Sequence, residues 1–251
     1  MPDSQSTALT PPDDNSQILH ILTHGTMSEA QGMLRYSSNS VLLVGVEFES
    51  IRLLAVYKSR RGERTLWDFP DGTLCQRETA AFHMSAALGW HLVPPTVLRE
   101  GLRGIGSVQY YIPHDPNESF FTLDRSYLDV LRQMAAFDCI INNTDRKGGH
   151  CLIGPNGRLW GIDHGISFHT AIKLRTVIWD FAGQPIPKKL LEDVERVYCL
   201  LEDPSQPLRE TLDELLARTE ISALLGRMRR LLHLRTYPQK GPGPNEPWPP
   251  F

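Results

Sequence analysis

Asn142-Asn143-Thr144-Asp145-Arg146-Lys147-Gly148-Gly149-His150, eight polar or glycine residues around one threonine, is wedged between two segments that have to be buried. Upstream, Tyr127, Val130, Leu131, Met134, Phe137 and Ile141 recur at helical spacings, which predicts an amphipathic helix running into Asn142-Asn143. Downstream, Cys151-Leu152-Ile153, the turn Gly154-Pro155-Asn156-Gly157 and Arg158-Leu159-Trp160-Gly161-Ile162 predict a compact β-hairpin with strong turn chemistry. A loop of this composition adds little to packing. The hairpin brings its two ends side by side, so Asp145 before it and Asp163 after it are predicted to face one cavity.

Phosphoryl transfer requires such a pair. One carboxylate orients and deprotonates the acceptor hydroxyl, and another holds a metal bridging the phosphates. Lys147 would stabilise charge building on the transferred group. A metallohydrolase with His150, Asp163 and His164 as ligands is the rival reading of the same stretch. It lacks the HExxH helical pair and leaves the hairpin without a role.

The bulk properties suit one large domain or two small lobes and exclude other classes. The chain has 251 residues, 41% of them hydrophobic, and a formal charge of −3 with both signs mixed, so the basic footprint of a nucleic-acid binder is missing. Apolar runs such as Val41 to Val46 are far shorter than the ~20 residues of a membrane span, and Met1-Pro2-Asp3-Ser4 does not read as a leader, which predicts a cytoplasmic protein. Cys75, Cys139, Cys151 and Cys199 form no CxxC pair and read as reduced thiols.

Residues 1–16 and the Gly/Pro-rich tail 238–251 are expected to be disordered. Between them, 17–113 is strand-rich and 114–237 mainly helical. Val41 to Phe48 and Ile51 to Lys58 read as a hairpin, Cys75 to Trp90 as a helix stopped at Gly89, and Gly106 to Ile112 as a strand. Three further helices are expected at about 188–203, 208–218 and 220–235.

Asp145-Arg146 after Asn-Asn-Thr, followed by Asp163-His164-Gly165, resembles the catalytic and metal-binding loops of the phosphatidylinositol 3- and 4-kinase superfamily, which includes the HipA-type bacterial protein kinases. More closely, the chain is similar to a family of bacterial proteins described only as phosphatidylinositol-kinase-like. The resemblance implies an α+β, bilobal protein-kinase-like fold with ATP in the cleft and Mg²⁺ or Mn²⁺ as the metal. By the same resemblance, Lys58 at the end of a strand would contact the nucleotide phosphates, with Glu78 as its ion-pair partner and Val56 lining the adenine pocket. Ser37, Ser38 and Asn39 would cover the phosphates in place of a Gly-rich loop, and Gln109 and Tyr111 would lie in the hinge that meets adenine.

One position departs from the superfamily. Five residues after Asp145 stands His150 where a metal-binding Asn is usual, so the expected metal ligands are Asp163 and His150. His150 and the missing Gly-rich loop also support a second reading, a nucleotide-binding pseudokinase or scaffold. Only Lys173, Arg175, Lys188 and Lys189 follow the metal aspartate, which favours a protein or small-molecule acceptor over a phosphoinositide.

Overall fold

The computed structural model describes residues 15–29 and 41–251. They divide into two compact units, one running to Glu63 and from Pro95 to Tyr111, the other spanning Arg64–Pro94 and Ile112–Phe251.

The first unit is built on the predicted hairpin, β2 (Val41–Phe48) and β3 (Ile51–Ser59), turned at Glu49 with φ 55. β1 (Thr26–Glu29), β4 (Thr96–Gly101) and β5 (Gly104–Tyr110) complete an antiparallel sheet of order β1-β2-β3-β5-β4. Alternation along the strands sends Val44, Val46, Leu53, Ala55, Tyr57 and Val108 to one face, where they pack on Ile18, Ile21 and Leu22 of helix α1 (Asn15–His24). Burying each such side chain contributes roughly 1.5–3 kcal/mol, which holds a short helix that could not persist alone. Val56 and Lys58 point to the opposite face, half-buried. Gly106 is needed where β5 passes Tyr57: a Cβ there would lie 2.5 Å from Lys58 O.

α1, β1 and β4 carry no expectation from sequence. β1 and β4 have too few apolar residues to show a period, and in α1 Ile18, Ile21 and Leu22 stand at helical spacing over only ten residues. The expected N-terminal disorder to residue 16 meets α1 at Asn15; residues 1–14 lie outside the described chain, as do Ser37, Ser38 and Asn39.

The second unit holds the helix expected at Cys75 to Trp90, observed as α2 (Leu74–Ala87). Gly89 takes φ +75 and ends it, and the fully buried Ser85 hydroxyl accepts Leu92 N at 2.7 Å and Val93 N at 3.3 Å. Residues 64–94, read with the strand-rich half in sequence, therefore belong to the helical unit. There they join α3 (Leu128–Ile141), the hairpin β6 (Cys151–Ile153) and β7 (Leu159–Gly161), and α4 (Lys188–Glu202), α5 (Pro207–Leu215) and α6 (Arg218–Leu234).

The tail expected to be disordered is instead held by hydrogen bonds. Asn245 O accepts Thr176 N at 3.1 Å and Trp179 Nε1 at 3.0 Å, and Pro250 O accepts Gly148 N at 2.8 Å. Its proline-rich composition argues against self-contained structure, but carbonyls can still accept from donors elsewhere. The four cysteines are free. Replacing Ser85 by Ala leaves the Leu92 and Val93 amides without this acceptor, and urea denaturation is expected to show a loss of about 1–3 kcal/mol.

Candidate active site

α3 presents Leu131, Met134, Phe137, Ile140 and Ile141 to the core and ends at Asn142, which adopts a left-handed conformation with φ 55. The polar residues that follow set the course of the chain. Asn142 Nδ2 donates to His169 O and Ala171 O, and its Oδ1 accepts Lys173 N. Asn143 Nδ2 donates to Asp138 Oδ1 at 3.0 Å, and Asn143 Oδ1 accepts Asp145 N at 3.0 Å. Thr144 donates through both N and Oγ1 to Ile166 O. Three consecutive polar side chains thus fix the backbone, and Asp145 is the first residue presented outward.

Arg146, fully buried, joins the two ends of the hairpin. Its Nε and Nη2 donate to Asp138; Nη1 donates to His150 O at 3.2 Å and Ile162 O at 3.0 Å; Nη2 lies 2.7 Å from His164 Nε2. The hairpin register itself pairs Cys151 with Gly161, and Ile162 N donates to His150 O. α2 secures the far side: Glu78 Oε2 accepts His164 N at 2.9 Å, and Arg77 links Ser167 O to Glu220.

Held on both sides, Asp163 adopts φ 60, a backbone conformation that non-glycine residues rarely take and that clusters at functional sites. His150 Nε2 stands 3.3 Å from Asp163 Oδ2, and Lys147 Nζ stands 3.5 Å from Asp145 Oδ2. The Asp145 carboxyl is pushed up from an ordinary 3.8 to about 6: burial disfavours its charge, Asp163 repels it, and Lys147 and Arg175 offset part of both. A carboxylate poised near 6 is suited to accept a proton at neutral pH.

The structure thus brings Asp145, Lys147, His150 and Asp163 together at one end of one hairpin. His164 is drawn away from any metal, since its Nε2 lies against Arg146, which removes a ligand from the metallohydrolase reading. Among the described residues no group of three or more His, Cys, Asp and Glu is arranged to hold a metal. Asp163 and His150 could supply two ligands to an ion that draws the rest from phosphate and water, an imidazole suiting Mn²⁺ better than Mg²⁺.

Of the remaining nucleotide candidates, Val56, Lys58, Gln109 and Tyr111 lie in the first unit and Glu78 in the second. Val56 pairs with Gln109 across β3 and β5, and Lys58 with Ser107. Gln109 Nε2 donates to Thr96 Oγ1 at 2.9 Å, and the Tyr111 amide is occupied by Leu54 O at 3.0 Å. Glu78, expected as the partner of Lys58, directs one carboxylate oxygen to the His164 amide. Asp138 and Arg77 are missed from sequence, and Arg146 is read there as part of the motif but without a role. The available signal was charge at core positions: Asp138 falls between Met134 and Ile141 on the apolar face of α3.

With the sheet, the helical unit and this site in place, the chain has a kinase-like fold. It resembles the crystal structure of the Golgi casein kinase with Mn/ADP bound, with TM-score 0.55 and 15% identity over 88% of this chain and 75% of the other. It also resembles the structure of hydra Fam20 with sugar, with TM-score 0.54 and 14% identity over 87% of each chain. The chain is 38% identical to protein Rv2133c of Mycobacterium tuberculosis over 88% of its own length and 91% of that protein's, and belongs to the same family. No described family profile matches it. No described helix is long and apolar enough to cross a membrane.

Ionisation of Asp145 acts against the fold. The folded chain keeps this proton up to about pH 6, whereas an unfolded chain releases it near 3.8, so the associated stability is present below about pH 4 and lost as pH rises through 6. Asp145→Asn is expected to raise the melting midpoint of the metal-free protein at pH 7.5, by at most about 3 kcal/mol in stability, and to leave it unchanged at about pH 4. Asp138→Ala, by contrast, strands the Arg146 guanidinium and should cost about 3–5 kcal/mol in urea denaturation.

Proposed function

We propose that the chain is a metal- and ATP-dependent phosphotransferase of the phosphatidylinositol 3-/4-kinase-like kind indicated by its motifs. The observation that carries this reading is the pairing of Asp145, with its carboxyl pushed up to about 6, and Asp163 at the two ends of one clamped hairpin. Asp145 would accept the proton of the acceptor hydroxyl as its oxygen attacks the γ-phosphorus in line, with ADP as the leaving group. Lys147, within reach of Asp145, would balance charge on the transferred group. A divalent ion held by Asp163 and His150 would neutralise the phosphate oxygens. Lys58, Glu78, Val56, Gln109 and Tyr111 take their proposed nucleotide-binding roles from the resemblance, as do Ser37, Ser38 and Asn39.

A protein or small-molecule acceptor is favoured over a phosphoinositide. Three of the basic residues after Asp163 are engaged by acids: Lys173 with Asp68 at 2.5 Å, Lys188 with Glu192 at 3.6 Å and Lys189 with Asp193 at 3.1 Å. Only the Lys173 pair is partly buried on both sides; Lys188 and Lys189 are themselves exposed and their pairs weak, so the preference rests on the small number of basic residues and on Lys173 being withdrawn by Asp68. A cytoplasmic location stays part of this reading.

Calorimetry should detect ATP binding that requires Mg²⁺ or Mn²⁺ and is lost in Asp163→Ala; nucleotide binding indifferent to metal would sink the proposal. Asp145→Ala should retain binding and lower ATP turnover by about 10²–10⁴-fold. The second reading, a pseudokinase, draws on His150 standing against Asp163 in the place of the usual Asn. It predicts metal-dependent nucleotide binding with no turnover for Asp145→Ala to remove.

A further inference from the structure

The tail residues grip the two chain segments that flank Asp145. On one side Arg175 O accepts Arg146 N, and the next residue, Thr176, gives its N–H to Asn245 O. On the other side Gly148, three residues after Asp145, gives its N–H to Pro250 O at 2.8 Å. The contact at Gly148 is close. The Phe121 ring lies where a Gly148 side chain would begin, with a Cβ there 2.4 Å from its Cε2, and Phe251 packs on the outer side of Phe121 at 4.7 Å between centroids.

The tail's composition suits it to accept hydrogen bonds. Pro242, Pro244, Pro247, Pro249 and Pro250 have no N–H, so the segment presents mainly carbonyls. Asn245 closes a turn on Gly241 and Gly243, which aims its own carbonyl at Thr176 and Trp179. The attachment is nevertheless light. Trp248 is 90% exposed and Phe251 67%, while Pro247 is buried, so a few hydrogen bonds, one ring contact and one proline ring hold the strap, and segments of this kind open readily.

We propose that residues 245–251 are an intramolecular occupant of the acceptor site beside Asp145. This strap of extended chain is displaced by an incoming polypeptide acceptor that takes over the Gly148 and Thr176 amides. Main-chain pairing is the common way for one extended segment to replace another, since it demands shape and carbonyls more than a given side-chain sequence. The proposal rests on the phosphotransfer reading and adds to it the acceptor class and the element that controls access.

The test uses the full chain and the double variant Trp179→Phe with Phe121→Ala, which removes one donor to Asn245 O and the seat of Phe251. Amide hydrogen exchange at Gly148 and Thr176 should be slow in the wild type and at least about tenfold faster in the variant, with α3 and α4 unchanged. With Mn²⁺·ATP and a serine/threonine peptide library as acceptor, ADP release should be several-fold faster in the variant. Exposed-loop exchange rates in the wild type, or released amides with unchanged turnover, overturn the strap proposal alone. Protected amides with no turnover by either protein overturn the phosphotransfer reading, and this proposal with it.

Discussion

A single guanidinium holds the site in register. Arg146 is fully buried and can remain charged there because Asp138 faces it and because backbone carbonyls and an imidazole receive its other N–H groups. Taking such a charge out of water costs several kcal/mol, and the geometry around it is what offsets that cost. Since its partners lie on α3, at both ends of the hairpin and on the segment after Asp163, a shift of any one leaves a buried donor unmet. The hairpin ends are therefore tied to each other and to the helix that delivers them.

That constraint makes the two carboxylates unequal. Asp145 follows three side chains that fix its backbone, and burial together with the neighbouring Asp163 raises its carboxyl to about 6. Asp163 is presented in a left-handed conformation between Ile162, held by Arg146, and His164, held by Glu78, and it meets His150. The proposed reaction asks the first acid to receive a proton and the second to share a cation. The same loop also serves as an attachment point, since the Gly148 amide belongs to the turn that presents His150 and is taken by the tail.

The helix, polar loop and hairpin were legible because each has a strong local signal: an apolar stripe at helical spacing, a run without apolar residues, and Gly-Pro-Asn-Gly turn chemistry. α4, α5 and α6 were legible for the same reason. The members of the Asp138–Arg146 pair stand eight residues apart in a chain with many charges, and their partnership appears only when helix and hairpin are packed. Glu78 is expected from the resemblance as a partner for a strand lysine; its bond to His164, which spans 86 positions, is a relation no local pattern encodes. The tail was misread because proline and glycine predict only the lack of self-contained structure and say nothing of donors supplied by Thr176, Trp179 and Gly148.

The amino-acid sequence by itself determined the hairpin that brings Asp145 and Asp163 to one end, because turn chemistry and strand alternation act over a few residues. Tertiary structure alone decided how those acids are held and charged. Burial, the Arg146 clamp, the proximity of His150 and the tail lying on Gly148 all depend on segments distant in the chain, and desolvation and Coulomb energies arise only once those segments exclude water from between them.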